Sequence, residues 1–196
     1  MLPEKIVYIA VLLNFVGHFL YIRSIIKGFA KPNLVTWFFW TIAPFIGAFF
    51  QIKAGAGLSA LPIFVAGFGS LLIMLTAILT KNGFWKIRTF DIYCGIFSAL
   101  ALILYIFTHN LGIAILFAIL SDALASIPTI IKAWHFPETE NWGPYLLPII
   151  TNIAGLMVIK DWSFSIYSFG IYFLILDFTV IFCIYRGKIF KTKTIS

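Results

Sequence analysis

The chain has 196 residues, of which 62% are hydrophobic and only 11% charged, with a net charge of +7 and a mean hydropathy of +1.03. A soluble domain cannot hide that much apolar surface, because its outside must face water, so the composition excludes a soluble enzyme or binding domain and points to an integral membrane protein. The positive charge does not mark a nucleic-acid partner: the basic residues sit in the gaps between apolar runs, where they act as topology signals. Cys94 and Cys183, the only cysteines, lie in apolar segments, and no spaced Cys/His set suggests a disulfide framework or a metal site.

A helix needs about 20 apolar residues to cross a hydrocarbon core of about 30 Å. Seven segments qualify, at 5–25, 33–52, 59–80, 89–108, 111–132, 142–159 and 162–185. Backbone polar groups in lipid must be satisfied internally, and the alternation of a barrel strand is absent, so the expected fold is all-α and polytopic with seven transmembrane helices. The opening MLPEK lacks a basic stretch and a small-residue cleavage site, and the first run reads as a retained helix. Lys5, Lys53 and Lys160 fall in the gaps on one side. Eleven basic residues, among them Arg23, Lys27, Lys31, Lys81, Lys86, Arg88, Lys132 and Arg186, fall on the other. That asymmetry predicts an outside N-terminus and a cytoplasmic C-terminus in a cell (inner) membrane.

One stretch occurs twice. Residues 21–37 read YIRSIIKGFAKPNLVTW and 126–142 read SIPTIIKAWHFPETENW, 105 positions apart, sharing Ile22/Ile127, Ile25/Ile130, Ile26/Ile131, Lys27/Lys132, Pro32/Pro137 and Trp37/Trp142. Each copy is the end of an apolar helix, a lysine, a proline-bearing loop and a tryptophan opening the next helix. The offset spans four helices, so helices 1–3 repeat as 5–7 around a linker helix. The two triple-helix repeats are then parallel, joined as 3+1+3. The expected units are a first bundle at 1–82, a linker helix at 83–110, a second bundle at 111–187 and a basic tail at 188–196.

With SIPTIIKAW at 126–134, a proline motif followed by an apolar pair and lysine, this architecture resembles the PQ-loop superfamily and, within it, the SWEET transporters. Thr129 stands where glutamine is usual, and Arg23 takes the proline position in the first copy. GLSALPIFVAGFGSLLIM at 57–74 is similar to the start of the third helix of such repeats. Gly67 falls where the family has a sugar-contacting asparagine, and Phe49 or Phe50 where it has a tryptophan. The resemblance therefore implies a small-solute transporter rocking two triple-helix bundles about a central site, without naming a sugar.

The candidate site follows from polar residues inside the apolar runs. A carboxylate at a helix centre costs about 2.5–3.5 kcal/mol on insertion scales, so it normally faces a cavity or a partner. Asp122 and Asp177 are so placed; their bland alternative is a structural carboxyl tying two helices together. Asp91, beside Lys86 and Arg88, reads as interfacial. Asn14 and His18 share a helix face at i, i+4, and Asn152 follows Pro148, where a kink frees backbone groups. Trp37 and Trp142 read as interfacial anchors, Trp40 as a stacking residue one turn deeper, and Tyr167 and Tyr172 as optional lining. Pro44, Pro128 and Pro148 are candidate hinges, with a static bend as the alternative.

A retinal lysine is missing from the last segment, paired intramembrane histidines are missing, and neither a phosphate loop nor an HExxH motif occurs, so no cofactor and no enzyme activity is expected. The expected function is transport of a small polar solute by alternating access, contacted by Asn14, His18, Asp122, Asn152 and Asp177, with proton coupling through either aspartate as a variant. The partners expected are that solute and the bilayer; a homo-oligomer is left open. The competing class is a ligand-binding membrane receptor of the same fold without net transport, and a channel is the third. Solute identity, flux direction and coupling ion are not written in the residues.

Overall fold

The computed structural model describes residues 3, 5–80, 84–107 and 110–189, with backbone alone for 105, 106 and 187–189. Lys81, His109, Lys191, Lys193 and the tail beyond 189 lie outside the described residues. Seven α-helices run in chain order: α1 Ile6–Ile26, α2 Leu34–Lys53, α3 Leu61–Leu79, α4 Thr89–Ile106, α5 Leu111–His135, α6 Gly143–Met157 and α7 Phe164–Ile189. Each overlaps one apolar segment of the sequence. Short 3-10 turns precede α3 (Gly57–Ala60) and α6 (Pro137–Thr139).

Helix ends follow local chemistry. α1 stops at Gly28, whose φ of 77° suits a residue without Cβ, and the Gly28 and Phe29 amides fold back onto the Ile25 and Ser24 carbonyls. Asn33 caps α2 by accepting from the Val35 and Thr36 amides at 3.1 and 3.4 Å, and Asn110 caps α5 by accepting from Ile113 at 3.2 Å. Asp91 takes the same part for α4, accepting the Arg88 amide at 2.8 Å, which explains a buried carboxylate at what reads as an interface.

Five helices have the length and apolarity to cross a membrane: α1, α2, α3 with its preceding turn, α5 and α7. The described apolar parts of the other two are shorter, Thr89–Leu104 in α4 and the 15-residue α6. Their outer faces are apolar, as with Tyr8, Ile9, Leu12, Val16 and Phe19 along α1. This is a membrane-embedded helical protein.

The packing order is not the chain order. α3 lies against both α1 and α2, and α7 lies against both α5 and α6. The two groups meet through α1 against α6 and α2 against α5, while α4 packs on α5 and touches α2. Without a hydrophobic drive between helices in lipid, close approach needs small residues. α1 and α6 supply them where they cross: a Cβ built on Gly17 would stand 2.4 Å from the Gly143 carbonyl oxygen. Hydrogen bonds join the groups at Thr36 Oγ1 to the Ala125 carbonyl (2.7 Å), Thr151 Oγ1 to Ala10 (2.8 Å) and Gln51 Nε2 to Ile166 (2.9 Å). Such bonds contribute about 0.6 kcal/mol each in a membrane, so the three together hold the groups by only about 2 kcal/mol.

Candidate functional site

Between the two groups lies a cavity of about 40 Å³. Its walls come from α1 (His18), α2 (Trp37, Trp40), α3 (Ser70), α6 (Tyr145, Asn152) and α7 (Asp177), so each group of three helices supplies part of it. The aromatic wall is orthogonal. Trp40 stands edge-on to Trp37 (centroids 5.1 Å, 77°) and to Tyr145 (6.2 Å, 74°). His18 reaches the cavity across α3: its ring occupies the space where a Gly69 Cβ would be, at 2.1 Å. That residue has to be glycine for the imidazole to lie there.

Several polar atoms here lack partners. Trp40 Nε1, a donor, and Asn152 Oδ1, an acceptor, are buried with no hydrogen bond among the described residues. Asp177 receives none either, and stands within electrostatic range of Tyr145, Tyr172 and Asp122. Buried polar groups in native proteins are almost always satisfied, so a cluster of orphans around a void marks a place where something else binds. The space holds only a few water-sized atoms, so a larger solute enters only when the helices part.

One end of this cavity is sealed. The Tyr21 and Tyr145 hydroxyls both donate to Glu140 Oε2, at 2.8 and 3.1 Å, while Glu140 Oε1 pairs with Lys132 Nζ at 2.5 Å. Lys132 also donates to the Lys31 carbonyl and lies over the Trp85 ring at 5.6 Å. The loop after α1 and the loop after α5 are joined directly by the Lys31 amide on the Thr139 carbonyl at 3.1 Å. This buried pair therefore fastens α1, α5 and both loops into a plug over the aromatic wall. Toward the opposite end, a void of about 10 Å³ shares Asn152 with the central cavity. It also shares Ser59, Ile159 and Ile166 with a larger void of about 130 Å³ beside Gly55, Lys160 and Asp161. A broken line of cavities leads from the centre to that surface.

Of the residues singled out in the sequence, His18, Trp40, Asn152 and Asp177 line the cavity together with the hinge candidate Pro148. Asp122 is buried behind the wall, its Oδ2 accepting from Tyr172 at 2.7 Å, and Asn14 is buried without lining the void. Pro44 and Pro128 are buried within helices that continue through them, away from the cavity wall. Trp37, expected in an interfacial belt, is buried and lines the cavity, packed between the Tyr21 and Trp40 rings at 5.2 and 5.1 Å. Tyr167 is half-buried in a separate apolar cluster.

Sequence reasoning missed Glu140, Tyr21, Ser70 and Tyr145. Glu140 sits in a loop among polar residues, with nothing to announce burial, and the repeat was misleading for Lys132, since its counterpart Lys27 is exposed. The repeat did hold a signal for Tyr145: the same 105-residue offset carries Trp40 onto it, and both face the cavity. Comparison of the chain with protein-family models, with curated proteins and with solved structures finds no match, so the reading of this site rests on its own residues.

Proposed function

We propose that the chain is a membrane transporter that carries a small polar solute by alternating access, with α1–α3 and α5–α7 as two parallel bundles and α4 as their linker. Seven crossings, an outside N-terminus and a cytoplasmic C-terminus complete the arrangement, in a cell (inner) membrane. The resemblance to the PQ-loop and SWEET-type proteins belongs to the same proposal. It is supported by the matching order within each triple, the third helix packed between the other two, and by the linker's position on α5.

The observation that carries the reading is the cavity itself: it is walled by both bundles, plugged at one end by the Lys132–Glu140 pair and continued by small voids toward the other. A site shared between two bodies, closed on one side, is what alternating access requires. The basic loops cluster at the plugged end, where the Trp85 amide donates to the Pro32 carbonyl and Arg186 donates to the Trp134 carbonyl. By the positive-inside rule the plug then faces the cytoplasm. The proposed cycle uses this geometry. Solute enters through the line of voids, settles among His18, Trp40, Asn152 and Asp177, and is released when Glu140 parts from Lys132 and the two tyrosines. Pro148 stands at the cavity on a helix that must bend for this to happen.

Counterflow in liposomes tests the reading. Vesicles preloaded with unlabelled solute should accumulate labelled solute transiently through the purified protein. A protein that binds a solute and shows no counterflow of it is a receptor, and the transport proposal then fails.

A further inference from the structure

The cavity's chemistry selects its solute. We infer that the site takes a small organic ammonium ion bearing N–H donors, with its charge on Asp177 and against the Trp37, Trp40 and Tyr145 rings. The inference rests on the transport reading only for the cavity being a solute site, and binding alone decides it.

Four features point the same way. First, Asp177 brings a carboxyl group into the wall, and among the described residues no lysine or arginine lines the cavity. Second, the next carboxyl, Asp122, is close enough to act on Asp177, and among the described residues the only side chain donating to it is the neutral Tyr172 hydroxyl. The imidazole of His18 also lines the wall, and Lys132, outside it, is spent on Glu140. The site therefore presents two carboxyls with no lysine or arginine partner among the described residues, and an ammonium supplies the cation that an ionised Asp177 needs. Third, Trp40 stands edge to face against both Trp37 and Tyr145, and all three rings border the void. Ring faces are the negative pole of the aromatic quadrupole, and such a corner attracts a desolvated cation. Fourth, the orphan atoms are complementary to an amine carrying an oxygen. Asn152 Oδ1 accepts from an N–H, and Trp40 Nε1 donates to a hydroxyl or carbonyl. A carboxylate-bearing or phosphorylated solute meets no lysine or arginine at the site among the described residues, and a neutral polyol supplies no cation for Asp177.

Ethanolamine is the probe, since it offers an ammonium and one oxygen. Its neutral isostere, ethylene glycol, and the anion acetate are the controls, all at equal ionic strength made up with sodium chloride. In the purified protein, ethanolamine should raise the melting temperature and change the tryptophan emission, because Trp37 and Trp40 line the site. The controls should do neither. Asp177→Asn should weaken ethanolamine at least about tenfold, and Trp40→Leu by about tenfold. Glu138→Gln, in the exposed turn before α6 and away from the cavity, should leave binding close to that of the wild type. If Asp177→Asn does not fold, the emission change in the unaltered protein still decides between ammonium and isostere. Equal responses to ethylene glycol, or to sodium chloride alone, would overturn the inference. Counterflow of a neutral solute with no response to ethanolamine would overturn it while leaving transport standing. Binding of ethanolamine without counterflow would do the reverse.

Discussion

At the scale of single residues, the Lys132–Glu140 pair is the most consequential contact. Both side chains are almost wholly removed from solvent, and each oxygen of the carboxylate has an assigned partner. Two charges taken out of water gain little net stability as a pair, but stranding one of them costs about 3–5 kcal/mol. Glu140→Gln keeps the volume and leaves the Lys132 ammonium buried with only a carbonyl and a ring. It should lower the thermal unfolding temperature markedly. The double variant Lys132→Met with Glu140→Met should recover most of that loss, because it removes both desolvation penalties. A single and a double variant equally unstable would show that the ion pair is not what the plug depends on. These residues also mark where the sequence stopped being informative. Asp177, His18 and Asn152 were legible because polar groups in apolar runs are costly and need a reason. Glu140 was not, because an acid in a polar loop costs nothing until the fold buries it.

At the scale of elements, the residues that fix helix ends, Gly28, Asn33 and Asn110, emerged only in the structure, whereas all seven helices were legible from the length of the apolar runs. The shortness of α6 was not, since the apolar run continues through buried Val158 and Ile159 after the helix ends. Which helices touch was hidden too, because glycines that permit contact look like any others. Gly17 and Gly143 make the α1–α6 crossing, each carbonyl sitting where the other's Cβ would be. Both obstacles are backbone, so neither can swing aside. Gly17→Ala should force the helices apart and cost about 1–3 kcal/mol, read as a lower melting temperature, with the cavity widened and solute affinity reduced. Gly112→Ala is the control, since its nearest neighbour would be the Asn110 side chain at 3.4 Å. A Gly17→Ala protein with unchanged stability and binding would remove the α1–α6 crossing from the structural account.

At the scale of the whole molecule, two groups of three helices touch along two seams, and the hydrogen bonds described across them total only about 2 kcal/mol. The plug adds a contact at one end that is strong in each partner's absence and weak in net terms, which suits a latch that must open and close. In the proposed cycle, two bundles with weak seams and one latch form a two-state assembly that a solute binding both bundles biases. The measurement that tests this most directly is pulsed electron–electron spin distance spectroscopy on the protein in lipid nanodiscs. Labels go at exposed Lys27 and Glu138 across the plugged end and at exposed Lys53 and Asp161 across the other, with Cys94 and Cys183 replaced by alanine. Alternating access predicts that Glu140→Gln lengthens the first distance and shortens the second. One fixed distance at each end, indifferent to solute and to loss of the Lys132–Glu140 pair, would contradict it and leave a rigid helical bundle in place of a transporter.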